Sequence, residues 1–328
     1  MMLSNYLSLA RAQGASDLHL SIGYSPRMRC DGKLQCLADG LAPITAELLL
    51  QGLDEDQKKY LTEHKQNDLI LSVGAGERYR GHYFFQQSGM SAVFRVVPTR
   101  IPTLDELMAS EGLRRAADVD SGLVLITGPT GCGKSTTLAS ILEYKNQCQQ
   151  SHIVTLEDPI EFVFESKRSL FSQRQYRQHY DDFSLALQGA LRADPDIIMI
   201  AELRDLETIR LALTAAETGH LVLASLHTRN ASQCVSCIVD VFPETEKELV
   251  RIALADSLRA VIAQQLVPAR AGGRIALFES LLVNPAIANL IRENQSMQLL
   301  SCMQTGAKQG MQSFQQARQK LHKKVLIE

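Results

Sequence analysis

Apolar positions in the first hundred residues switch between helical and alternating spacing. Residues 3–14 repeat at helical spacing and predict an amphipathic helix. Short alternating runs follow at Leu18 to Ile22 and Arg27 to Cys30, broken by Gly23, Pro26 and Asp31-Gly32, and predict a meander of strands. Residues 45–63 return to helical spacing, with Leu48, Leu49, Leu53 and Leu61 on one side. Strands resume at Asn67 to Val73, Arg78 to Gln86 and Ser91 to Val97, separated by turns that hold Gly74, Gly76 and Gly89. Together these elements predict a small, mostly antiparallel α+β domain over residues 1–98.

Pro98 and Pro102 bracket VPTRIPTL, and residues 99–118 read as a linker. From 119 to 328 apolar runs alternate with helical stretches. The runs are Leu123 to Thr127, His152 to Leu156, Ile197 to Ile200 and Leu221 to Leu226, with a helix from Lys134 to about Lys145. Strands alternating with helices imply parallel crossovers and a sheet covered on both faces, an α/β domain. Past residue 243 the spacing is helical at Glu246 to Gln265, Pro285 to Glu293 and Ser296 to Thr305, with Arg274 to Leu282 the one clear strand. No repeat or low-complexity tract interrupts the chain.

Composition narrows the class. The 328 residues are 45% apolar and 21% charged, enough to bury a real core, and the net charge of -2 gives no global field for nucleic acid or anionic lipid. The opening segment lacks the features of a signal peptide, and no stretch approaches the roughly 18 apolar residues of a membrane span. Seven scattered cysteines do not form a disulfide framework. Cys234 and Cys237 form the one CxxC pair, without the further ligands that zinc needs, and read as helix packing. The expectation is a cytosolic protein.

Gly128 to Ser135, GPTGCGKS, is a phosphate-binding loop between a strand and a helix. Glycines at 128, 131 and 133 leave room for main-chain N–H groups to face a polyphosphate, with Pro129, Thr130 and Cys132 between them. Lys134 places its charge on the β- and γ-phosphates, Ser135 offers a hydroxyl to Mg²⁺, and Thr136 continues into the helix. Hydrolysis also needs carboxylates for metal and water. HIVTLEDPIEF supplies Glu157, Asp158 and Glu161 past one apolar strand, and DIIMIAELRD supplies Glu202 past another, at strand ends where α/β sheets bind ligands. Glu202 is expected on Mg²⁺. Glu161, or else Glu157, is expected to orient the attacking water. His227, closing LVLASL, is placed to sense the γ-phosphate in preference to His220.

The order GPTGCGKSTT, TLEDPIEF, LRADPDIIMIAELRD, TAAETGHLVLASLHT resembles the secretion ATPase superfamily of type IV pili and type II secretion. ASDLHLSIGYSPRMRCDGKL is similar to its N-terminal domain. PAIANLIREN is similar to the AIRNLIRE motif of the PilT-type retraction branch. The assembly branch's extra domain and four-cysteine insertion are missing. The resemblance implies a PAS-like N-terminal domain and a RecA-like ATPase domain, with ATP and Mg²⁺ between the two. It further implies a homo-hexamer that works on an inner-membrane platform protein, reaching the cytoplasmic face of that membrane through this partner, with no nucleic acid. It implies that Arg78, Arg80 and Arg95 reach the phosphates, while Arg192 and Arg204 match family positions suited to ion pairs at subunit contacts. Ala288 replaces the AIRNLIRE arginine, and Ala201 replaces the glycine of the Walker B block. The expected function is ATP hydrolysis for pilus retraction or a related system. A weak accessory subunit and a DNA translocase are the alternatives.

Overall fold

The computed structural model describes residues 2–327 except Asp31, Ala75, Pro98 and Thr99. The turn expected at Asp31 and the first proline of the linker, Pro98, lie outside the described residues. Contacts divide the chain into two compact units, Met1–Arg100 with Pro159–Val163, and Ile101–Asp158 with Phe164–Glu328.

The first unit runs α1 (Leu3–Ala12), β1 (Asp17–Ser21), β2 (Arg27–Cys30), β3 (Lys33–Cys36), α2 (Ala46–Leu50), α3 (Glu55–His64), β4 (Gln66–Val73), β5 (Glu77–Gln86) and β6 (Gly89–Val97). Its sheet has the order β3-β2-β1-β6-β5-β4, and every pairing is antiparallel. β5 alternates cleanly, with Tyr79, Gly81 and Tyr83 buried against Phe94 while Arg78, Arg80 and His82 stay half-buried. The single helix expected over 45–63 is two helices. Asp54 starts α3 with a capping box. Gly52 sits where a Cβ would lie 2.9 Å from Leu3 and from the Tyr83 hydroxyl, so the chain turns there against the core.

The second unit runs α4 (Glu111–Ala117), β7 (Gly122–Thr127), α5 (Lys134–Cys148), β8 (His152–Glu157), β9 (Leu170–Gln175), α6 (Phe183–Ala190), β10 (Ile197–Ile200) and α7 (Leu206–Glu217). It continues through β11 (Leu221–Leu226), α8 (Ala231–Asp240), α9 (Lys247–Ser257), β12 (Leu258–Pro268), β13 (Arg274–Leu282), α10 (Pro285–Arg292), α11 (Leu299–Thr305) and α12 (Phe314–Lys323). The sheet order is β13-β12-β7-β11-β10-β8-β9, parallel throughout except for the β12–β13 hairpin. Strands β7, β10 and β11 are buried at every position, as strands covered by helices on both faces must be.

The helix expected over Glu246 to Gln265 is corrected. Helix α9 ends at Ser257 and the chain enters β12 directly, next to β7. A strand buried on both faces shows no alternation, so its apolar residues also satisfy a helical template. Strands β3 and β9 and helix α12 also lay outside the expected elements.

Candidate functional site

The sheet order places β7 between β12 and β11, with β10 and β8 beyond, so loops leaving four adjacent parallel strands gather at one edge. Gly128, Gly131 and Gly133 all adopt positive φ. Gly128 is the most constrained, since a Cβ there would lie 2.3 Å from the Gln264 carbonyl oxygen and 2.7 Å from Cys132 Sγ. Lys134 opens α5, and its Nζ donates to the Gly128 and Pro129 carbonyls at 2.8 and 3.3 Å. Ser135 is exposed at the first turn of α5. Thr136 gives its carbonyl to the Ser140 hydroxyl. Burial pushes the Cys132 thiol up, which makes it a packing group rather than a nucleophile.

Three of the expected residues meet in one chain of contacts. Lys134 Nζ lies 3.3 Å from His227 Nδ1, and His227 Nε2 lies 3.0 Å from Glu202 Oε1. An ammonium can only donate, so Nδ1 accepts, and the ring proton sits on Nε2 facing the carboxylate. The other Glu202 oxygen accepts from Arg204 Nε at 2.9 Å, and Arg204 also reaches Asp158 at 3.1 Å. Arg204 therefore makes its ion pairs inside its own chain. The His227 loop is pinned to the phosphate-loop strand by buried Thr127. Its hydroxyl approaches the Thr228 hydroxyl at 2.7 Å and accepts the Thr228 N–H at 2.9 Å. Ala201 passes its carbonyl to the Ser225 hydroxyl, and Leu203 N–H donates to Ser225 O at 3.0 Å, which fixes the backbone on either side of Glu202. His220 lies at the opposite end of β11, against Ala215 and Thr218.

The two candidate bases differ in environment. Glu157 ends β8 and is 5% exposed, with Oε1 accepting from Thr155 Oγ1 at 2.7 Å and Gln173 Nε2 at 3.1 Å. Glu161 belongs to Pro159–Val163, which clusters with the first unit, and is half-buried. In that unit Arg78 donates to the carbonyls of Ile160 and Glu161 at 2.8 and 2.9 Å. Arg80 and Arg95 are direct cross-strand partners. Like charges in that register repel. Arg80 lies 3.8 Å from Asp68 and Arg95 2.8 Å from Asp17, which offsets the repulsion in part.

Two residues absent from the sequence expectations complete the second unit's framework. Gln264, on the strand misread as helix, is buried. It accepts from Thr137 Oγ1 at 2.7 Å and donates to the Cys132 carbonyl at 2.7 Å, bracing the phosphate loop from behind. Glu279, on β13 and 3% exposed, accepts from Ala231 N–H at 2.9 Å and Phe314 N–H at 3.3 Å, joining the starts of α8 and α12. A polar residue inside an apolar run was the available signal for each.

The match to the family model described as type II/IV secretion system protein spans residues 2–327. The chain belongs to that family. It is 46% identical to the type IV pilus retraction ATPase PilT of Pseudomonas aeruginosa, covering 100% of this chain and 96% of that one. It is 47% identical to the uncharacterized protein YggR of Escherichia coli K12, covering 97% and 98%. A crystal structure described as the pilus retraction motor PilT with bound ADP superposes with a TM-score of 0.91 at 41% identity, covering 100% and 95%. The chain is accordingly a PilT-like ATPase with the α/β fold of that motor. Among the described residues no helix is long and apolar enough to cross a membrane, and no group of His, Cys, Asp and Glu could hold a metal by itself. The CxxC pair splits into buried Cys234 and exposed Cys237 on α8.

Proposed function

We propose that the chain hydrolyses ATP with Mg²⁺ as one subunit of a homo-hexameric motor that retracts type IV pili and so drives twitching. The observation that carries this reading is the contact chain from Lys134 through His227 to Glu202, which joins three of the proposed site residues across adjacent strands. The loop's three glycines adopt positive φ, and Ser135 is exposed at the start of α5. Both features fit a Mg²⁺–nucleotide. Ser135 and Glu202 would hold the metal, directly or through water, and its charge would offset that of the γ-phosphate. His227 would read whether that phosphate is present through its bonds to Lys134 and Glu202. Arg78, Arg80 and Arg95 would add guanidinium charge to the transition state. The motor would work at the cytoplasmic face of the inner membrane, held there by a platform protein.

A clean deletion scored for surface pili and twitching tests this. Excess surface pili with loss of twitching is the expected outcome, and loss of surface pili would overturn retraction. One observation favours a second reading, an accessory or regulatory subunit. Ala288 stands on α10 where the family motif has arginine, and it is 8% exposed in the core of the second unit. Complementing the deletion with Ala288→Arg separates the two. A gain in twitching over the wild-type gene points to weakened coupling, and no change leaves the motor reading intact.

A further inference from the structure

No Asp or Glu occurs between Asp256 and Glu279, or between Glu293 and Glu328, although the whole chain carries a net charge of -2. The fold joins these two stretches. Ala317 and the flanking Phe314 and Leu321 of α12 pack on Val267, Ile275 and Leu277 of the β12–β13 hairpin. Beyond the helix, Leu326 accepts the Arg270 N–H at 2.9 Å, which closes the chain end onto the hairpin turn. Arg270, Arg274, Arg318, Lys320, Lys323 and Lys324 are all exposed at this corner. Lys320 donates to Gln312 at 2.8 Å. None of the six makes an ion pair among the described residues. Val325 is 57% exposed in their midst.

Among the described residues the carboxylate nearest these cations is Glu111, which lines one groove with Lys320, Lys323 and Lys324 and is already paired with Arg115. The corner therefore keeps excess positive charge that a structural role alone does not account for. The exposed ring among them is the His322 imidazole, with no exposed Phe, Tyr or Trp, so the corner lacks the row of large aromatic faces on which single-stranded nucleic acid stacks successive bases. Apart from the Lys320 bond the cations lack the bracing that recognition of one acidic peptide requires. Flexible basic side chains around one exposed apolar residue suit a diffuse layer of phosphate headgroups with hydrocarbon beneath. We propose that this corner, α12 with the tip of the β12–β13 hairpin, docks directly on anionic phospholipid headgroups. The contact needs neither nucleotide nor a platform protein.

Flotation of the full chain with phosphatidylcholine vesicles, with and without phosphatidylglycerol, tests it. Binding should require phosphatidylglycerol and fall as salt is added. Each cation removed should weaken it about five-fold, so Arg318→Gln/Lys323→Gln/Lys324→Gln should lose about 100-fold. ATP turnover of that triple variant in solution should be unchanged. Lys33→Gln/Lys59→Gln/Lys65→Gln, which removes the same charge from the first unit, should bind as wild type does. Absence of phosphatidylglycerol-dependent binding, or equal loss in both triple variants, would overturn the proposal. So would binding to polyglutamate without binding to vesicles, which would assign the corner to an acidic protein instead.

Discussion

At the scale of single residues, the clearest demand is steric. Gly128 combines a positive φ with a Cβ position 2.3 Å from a backbone oxygen, and backbone cannot give way as the end of a side chain can. Gly128→Ala is expected to cost about 1–3 kcal/mol and to weaken nucleotide binding, read by thermal melts with and without ADP. Gly131, with nothing within 4 Å of its Cβ position, is the matched control for crowding. The choice of base turns on which carboxylate is already committed. Glu157 is buried and bonded to Thr155 and Gln173, whereas Glu161 is half-buried and bonded through its main chain. Glu161→Gln should therefore leave ATP bound while turnover falls by about 10²–10⁴-fold, compared by ATP titration and phosphate release. Wild-type turnover in that variant would move the role to Glu157.

At the scale of elements, Glu279 shows how strands and helices hold one another. Its carboxylate accepts from the first N–H groups of α8 and α12, so one buried side chain stops two helix starts from going unsatisfied. Glu279→Ala is expected to cost about 2–4 kcal/mol in denaturant melts. Burial pushes the Glu279 carboxyl up, and the two N–H bonds pull only partly against it. The folded protein then binds this proton more tightly than the unfolded chain does. The group's contribution is fully present below the ordinary glutamate range and is lost as pH rises through its folded value. The stability gap between wild type and Glu279→Gln should therefore shrink with rising pH. A widening gap would mean that the N–H bonds outweigh burial. Gln264 lies on β12, which patterning took for helix, whereas Glu279 lies on β13, the clear strand of that region. The phosphate loop, Glu202 and His227 were legible because their chemistry fixes residue type and spacing. β12 was not, because burial of both faces from Ala260 to Gln264 erases alternation and leaves a run that fits either period. The edge strand β3 is exposed at every position and had no apolar pattern to read.

At the scale of the whole molecule, the family and the PilT likeness cover nearly every residue. The open question is whether the ATP sites of neighbouring subunits act together. If six copies form a closed ring whose sites fire in concert, an inactive subunit stalls its neighbours rather than only itself. Lys134→Ala removes the ammonium proposed to grip the phosphates, whose contacts include the loop carbonyls and His227. Mixed at equal amounts with wild type, it would leave only about one ring in sixty-four free of dead subunits if exchange is random. Turnover should then fall far below the half expected of independent subunits, with the mass by light scattering unchanged. A linear decline with the mutant fraction, at that same mass, would show that each subunit hydrolyses ATP alone. It would leave the phosphate loop assignment standing and remove the concerted ring.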